Sequence, residues 1–200
     1  MPTSLASLVA DVMLLTNRPS LAGETALAVQ AATLKAHHSD DYIKDFTEYS
    51  IVFGSSEYYQ SIDYKLMIPL WRKPRYIRKY DNTPGLQGPG VFLKYMEPES
   101  AVDSYGYSRE DVFYVAGANL QIRSSTPLLY ALIGVYNNPD ITSGGYDSWI
   151  ADDHKFAIIY EATAIIFKTT GFDEQERSYR LMVAEQYQIL KQQAVTGLGM

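Results

Sequence analysis

The feature that most constrains this 200-residue chain is where its one-sided helices fall: at the two ends and nowhere else. Near the N-terminus Leu5, Leu8, Val9, Val12 and Leu15 recur at three- and four-residue spacing, one face of a helix over residues 4–16. Thr3 or Ser4 can cap its start. Pro19 disfavours helical geometry at Arg18, so the pattern breaks there. A second helix is predicted from Pro19 or Ser20 to His37. Its alanines (Ala22, Ala26, Ala28, Ala31, Ala32 and Ala36) allow a close neighbour, and Leu27 and Leu34 are expected to supply the apolar contact. Ser39, Asp40 and Asp41 end the hairpin. At the other end, Asp147 and Ser148 read as the cap of a third helix over 149–169, with the stripe Ile150, Ala157, Ile158, Ala162, Ile165 and Ile166. Gly171 stands where a helix C-terminal glycine belongs. Asp173 and Glu176 resemble a capping box for a fourth helix that runs to about Val195. Its stripe is Tyr179, Met182, Val183, Gln186, Ile189 and Leu190, and residues 196–200 are expected to be extended.

Each helix with one apolar face must cover it. The economical solution is a four-helix bundle built from both chain ends. Between the ends the period changes at Phe46 to that of strands. Segments 48–53, 75–80, 91–95, 112–115, 119–123 and 128–136 read as strands, and 58–65 more weakly so. The expected fold class is therefore α+β: a four-helix bundle from N- and C-terminal helix pairs with an inserted antiparallel β lobe. The divisions are an N-terminal hairpin 1–45, a β-rich lobe 46–140, and a C-terminal helical pair and tail 141–200 that packs with 1–45. Residues 81–90 hold three glycines and two prolines, a mobile loop or long hairpin tip.

Composition narrows the function. There is no cysteine, which removes disulfides, thiolate catalysis, zinc fingers and iron–sulfur clusters together. The histidines are His37, His38 and His154, too few for an obvious metal centre. No apolar run has the length of a membrane span, and Met1 to Ser7 carry no basic residue, so a soluble cytoplasmic product is expected. No Walker A loop, G-x-G-x-x-G, H-E-x-x-H or G-x-S-x-G occurs. Asp152, Asp153 and His154 form the best enzyme-like cluster, and a hydrolase site near His154 is one hypothesis. Adjacent helical residues diverge, however, and acids in a first turn complement the helix dipole. His37 and His38 with Asp40 and Asp41 are read as an ordinary helix C-terminus rather than as a metal site. The expectation is no catalytic residue, no cofactor and no metal.

Five of the 17 basic residues fall in eight positions: Arg72, Lys73, Arg75, Arg78 and Lys79, with Tyr76 and Tyr80 interleaved. Strand alternation puts Arg75, Ile77 and Lys79 on one face and Tyr76, Arg78 and Tyr80 on the other. Three readings stay open: a solvated strand face, a docking surface for an acidic protein neighbour, or a nucleic-acid or small-molecule-binding module on strand 72–80, with the tyrosines stacking. The net charge of −6 argues against sequence-specific nucleic-acid binding. Seventeen tyrosines suit surfaces half-buried between partners as well as strands.

The layout resembles the head-to-tail adaptor family of tailed bacteriophages, also called connector or tail tubular A-type proteins. The resemblance rests on the N-terminal hairpin, Leu5 to Val12 and Glu24 to His37, on the strand-rich middle, and on the end. There it covers Tyr146 to Ala151, Tyr160 to Gly171 and the charged last helix. It implies a structural virion protein at the head–tail junction, assembled in the host cytoplasm. The subunit would form a homo-oligomeric ring of twelve between the portal protein and tail nozzle or fibre proteins. The ring lines a channel through which phage DNA passes without sequence-specific binding. No membrane, cofactor or catalytic residue is implied. Carried onto this chain, Gln186, Tyr187, Leu190, Leu198 and Met200 fall in the portal-contact segment. The 81–90 loop and the basic strand become candidate contacts with tail components.

Overall fold

Ser4 starts the first helix, its hydroxyl accepting from the Ser7 amide at 3.1 Å. Helix α1 spans Leu5–Thr16 in the computed structural model, which describes residues 2–80, 90–101 and 110–196. Most of the predicted 81–90 loop, and Leu198 and Met200, lie outside the described residues. Asn17 takes the left-handed conformation (φ 52°) that ends α1, and a 3₁₀ turn at Pro19–Leu21 leads into α2 (Ala22–His38). A second such turn, Ile43–Asp45, leads to β1 (Phe46–Asp63) and the single turn α3 (Tyr64–Met67). Then follow β2 (Trp71–Tyr80), β3 (Val91–Tyr95), α4 (Pro98–Ala101), β4 (Val112–Ala116) and β5 (Asn119–Asn137). Helices α5 (Trp149–Asp153), α6 (Lys155–Thr169) and α7 (Asp173–Thr196) close the described chain. The elements fall into a helical unit, Met1–Asp45 with Asn138–Met200, and a β unit, Phe46–Asn137.

The expected four-helix bundle with an inserted antiparallel β lobe is not the fold. In the helical unit α6 is a hub on which α1, α2, α5 and α7 all pack, while the substantial packing of α7 is with α6 alone. The physical reason lies in α6 itself, which is enclosed nearly all round: Ala157, Ile158, Ala162, Thr163, Ala164 and Ile166 are all buried. The predicted 149–169 helix is two helices, broken at His154 (φ −140°, ψ 45°). On α2 the buried face is Thr25, Ala28, Val29, Ala32, Thr33 and Ala36. Leu27, expected to make the contact, is instead 67% exposed. Small residues set the spacing here, and a leucine on the same face would hold the helices apart. Gly171 (φ 76°) ends α6 as expected, the Phe172 amide reaching back to the Phe167 carbonyl at 2.9 Å.

The β unit also departs from the expected antiparallel lobe. Its sheet runs β1-β5-β2-β3-β4 and is mixed: β3 and β4 are parallel, with Lys94 opposite Val112 and Tyr95 opposite Phe113. Strand β4 pairs again with the start of β5, Val112 opposite Arg123 to Ala116 opposite Asn119. The pairings β5–β2–β3–β4–β5 thus form a circuit, and the sheet curls into a half-barrel. Segments predicted as separate strands, 48–53 with 58–65 and 119–123 with 128–136, are continuous strands β1 and β5 with register shifts between their halves. Counting those halves separately gives seven straight segments. Pro127 is accommodated because residues 124–127 take part in none of the described ladders, so no amide is required there. The inner face is Ile77, Leu93, Phe113, Leu120, Ile122 and Ile133, with others.

Candidate functional site

The first half of β2 carries the unusual chemistry. A register shift between Pro74 and Tyr76 against β5 places a bulge at Arg75, so strict alternation fails there. Around the bulge, cations lie over rings. Arg72 and Lys73 stand 5.2 and 5.7 Å from the Tyr136 ring centre, and Arg75 stands 5.2 Å from Phe46 and 5.9 Å from Tyr136. Arg78 lies 5.3 Å over Tyr80 and 5.1 Å over Phe92. Each such contact is worth about 0.5–1 kcal/mol when exposed and ~2 kcal/mol when desolvated. The rings also meet one another: Phe46 with Tyr136 at 5.7 Å, Phe46 with Tyr76 at 5.8 Å, and Tyr76 with Phe92 at 5.4 Å. Gly134 makes this possible, since a Cβ there would come within 2.9 Å of the Phe46 and Tyr76 rings.

Lys79 does something else. It is 2% exposed, and its ammonium donates to Asp111 (2.6 Å), Ser124 (2.7 Å), Thr126 (3.0 Å) and Ser125 (3.2 Å). Three of the four acceptors come from the stretch of β5 where the ladders are interrupted, so the cation fixes that bend. Burial acts to raise the Asp111 carboxyl, but hydrogen bonds from Lys79 and Ser125 overcome it and hold the group below the usual carboxylate range.

A cavity of about 690 Å³ opens beside the bulge, within the range of small-ligand sites. Strands β2 and β3 pair only from Ile77–Leu93 to Lys79–Val91, and Arg75 and Tyr95 line the cavity beyond the end of that ladder. Tyr64, Trp71, Tyr95 and Phe113 give it aromatic walls, and Lys65, Arg72, Lys73 and Arg75 give it positive charge. Tyr64 and Trp71 pack ring to ring at 4.5 Å. Burial, then the neighbouring Glu97, push the Tyr95 hydroxyl above its ordinary value, so it stays protonated.

Of the residues singled out from sequence, Arg72, Lys73 and Arg75 therefore share one site. Tyr76 and Arg78 continue its ring-and-cation face. Lys79 is interior, and Tyr80 is buried against Tyr130 at 5.8 Å. In α7, Leu190 is enclosed in the helical core, Gln186 and Tyr187 are half-buried, and Tyr187 packs on that core. Burial, then Glu161, push the Tyr187 hydroxyl well up. The aromatic walls at Tyr64, Trp71, Tyr95 and Phe113 were missed, because they come from four separate elements. Trp71, one residue before the basic run, was the available signal.

The enzyme-like clusters resolve differently from their sequence appearance. Asp152 accepts from the Thr3 amide, Asp153 pairs with Lys44 at 2.6 Å, and His154 sits at the helix break against Trp149. His37, read as a helix-end cation, is buried. Its Nδ1 donates to Asp45 at 2.8 Å, since a carboxylate oxygen can only accept, and its Nε2 hydrogen-bonds the Ser148 hydroxyl at 2.9 Å. The order Ser–His–Asp is that of a hydrolase triad, but Ser148 is 4% exposed and its hydroxyl also caps α5, accepting from the Ala151 amide. Trp149 donates to the same Asp45 oxygen at 2.7 Å. The cluster ties the end of α2 to the start of α5 inside the core. Among the described residues no group of three or more His, Asp or Glu is placed to hold a metal ion, and no helix is long and apolar enough to cross a membrane. No family model matches the chain, and no curated protein matches it in sequence.

Proposed function

We propose that the chain is a structural subunit of a bacteriophage head-to-tail adaptor, a ring between the portal protein and the tail that lines the DNA channel. The observation that carries this reading is a set of leucines facing directly away from the helical core. Leu14, Leu27 and Leu181 are 80%, 67% and 75% exposed. Each stands two residues from a buried valine: Val12, Val29 and Val183. Two residues are roughly 200° around a helix, so each leucine lies opposite the face that packs. Leucines so placed on three helices of one unit are what a subunit offers to neighbours. Ring closure requires two different side surfaces, each complementary to the other. The acidic net charge suits a channel through which DNA slides without sticking.

The test is to mix the purified chain with the portal protein of its phage and image the particles. The expected result is a ring of density, twelve-fold if it matches the portal, added to one end of each portal. A protein that stays monomeric and never joins the portal contradicts the reading.

A further inference from the structure

The cavity beside the β2 bulge has a composition that the ring alone does not call for. Four side chains of its lining are basic, and among the described residues none of the lining is acidic. In a chain of net charge −6 that is a local inversion of sign. Its walls are aromatic, with Trp71 and Phe113 among them, so a ligand must present apolar groups as well as negative ones. The opening lies where β2 and β3 part beyond the Ile77–Leu93 pair, a gap bordered by a strand on each side.

We infer that this cavity binds an extended acidic peptide segment of a partner protein, with carboxylates on Lys65 and Arg75 and an apolar side chain between Trp71 and Phe113. Arg75 keeps its guanidinium edge for a carboxylate while its face lies over Phe46 and Tyr136, and Arg72 and Lys73 add to the positive field. Charge complementarity selects the sign, and the strand-bordered gap selects an extended backbone. A nucleic-acid strand is disfavoured: a polyanion feels the repulsion of the whole acidic chain, whereas a short acidic segment feels mainly the charges within a Debye length. The identity of the partner as a virion component rests on the adaptor reading; the binding itself does not, and is measured on the single chain.

The experiment follows tryptophan emission in the full-length protein at low salt; Trp149, in the helical unit, adds a background that binding at the cavity leaves unchanged. The probe is a short peptide of alternating glutamate and leucine; alternating lysine and leucine and a short oligothymidylate are the comparisons. The glutamate peptide is expected to change the emission saturably, with an affinity that falls as salt rises, while the lysine peptide leaves it unchanged. Lys65 is exposed, so Lys65→Glu does not disturb the core; it is expected to weaken binding about tenfold or more. Arg75→Ala is expected to do likewise, and Lys155→Glu, in the helical unit, to change nothing. No saturable response to the glutamate peptide overturns the inference, as does equal weakening by Lys65→Glu and Lys155→Glu. Tighter binding of oligothymidylate overturns it in favour of nucleic acid. Loss of peptide binding alongside intact assembly on the portal removes this inference and leaves the adaptor reading standing.

Discussion

Among the described residues the helical unit encloses acids, Glu161 and Asp45, whereas the β unit encloses a cation, Lys79. Glu161 on α6 is 1% exposed and is reached by Lys35 from α2 at 2.8 Å and by Arg180 from α7. Both cations keep part of their surface in water, with side chains 54% and 34% exposed. Lys79 is enclosed as fully, but its partners are one carboxylate and three hydroxyls, gathered from Asp111 and from residues 124–126. The first arrangement ties a helix from the N-terminal end and one from the C-terminal end to the hub. The second holds a bend within one strand. A buried charge is a poor source of net stability, and its removal leaves its partners desolvated. The difference therefore predicts how each unit fails. The cations of Glu161 can turn back to water, and so can Asp111, whose side chain is 36% exposed; what the β unit encloses is the Lys79 stem and the Ser124 hydroxyl.

The largest expected effect follows from that contrast. Lys79→Ala should destabilise the β unit by about 2–4 kcal/mol, through the space its buried stem leaves and the loss of a partner for the enclosed Ser124 hydroxyl, while Lys79→Met recovers part of the loss by filling the space. Chemical denaturation in a Trp149→Phe background, where Trp71 is the one remaining tryptophan, checks it; equal stability of Lys79→Ala and its parent would break the comparison. Glu161→Gln should cost less, about 1–3 kcal/mol, and act on the helical unit, because glutamine fills the same space and both cations keep part of their surface in water. A loss matching that of Lys79→Ala would show that the space filled does not matter. Gly134→Ala should cost about 1–2 kcal/mol through the clash with Phe46 and Tyr76, visible as a lower denaturation midpoint with an unchanged slope. The smallest effect is that of acid. The folded-state pKa of Asp111 is lowered, so its contribution is complete above the unfolded carboxylate value near 4 and is lost as pH falls through the depressed folded value. Asp111→Asn should remove that part of the pH dependence, read from unfolding midpoints across the acid range.

The same two regions differ in how much the sequence disclosed. The starts and ends of α1 and α7 were legible, and part of their inward faces: Leu5, Leu8 and Val12, and Val183 and Leu190, follow a simple helical period, whereas Leu15, Met182 and Ile189 of the expected stripes are exposed. The hub was not, because Glu161, Thr163 and Ala164 interrupt any apolar stripe, yet all three are buried on α6. Nor was the break at His154, which carries no proline or glycine. In the β unit the positions of β3 and β4 were legible from their apolar runs, but their parallel pairing depends on where the chain between them leads. The continuity of β5 through Ser124, Ser125, Thr126 and Pro127 depends on Lys79, 45 residues from Ser124 and 32 from Asp111. A lysine within a basic run reads as solvated until its four acceptors are brought to it. Half of the candidate site, the cations, stood together in sequence; the other half, its aromatic walls, was assembled by the curl of the sheet.

The outward leucines test the central claim most directly. The mass of portal particles assembled with the parent chain is compared with that of particles assembled with Leu181→Ser, a change 75% exposed and opposite Val183. The account predicts that the variant melts like the parent yet adds little or no mass to the portal. A variant that loads the portal as fully as the parent, or a parent that adds no mass at all, would contradict it.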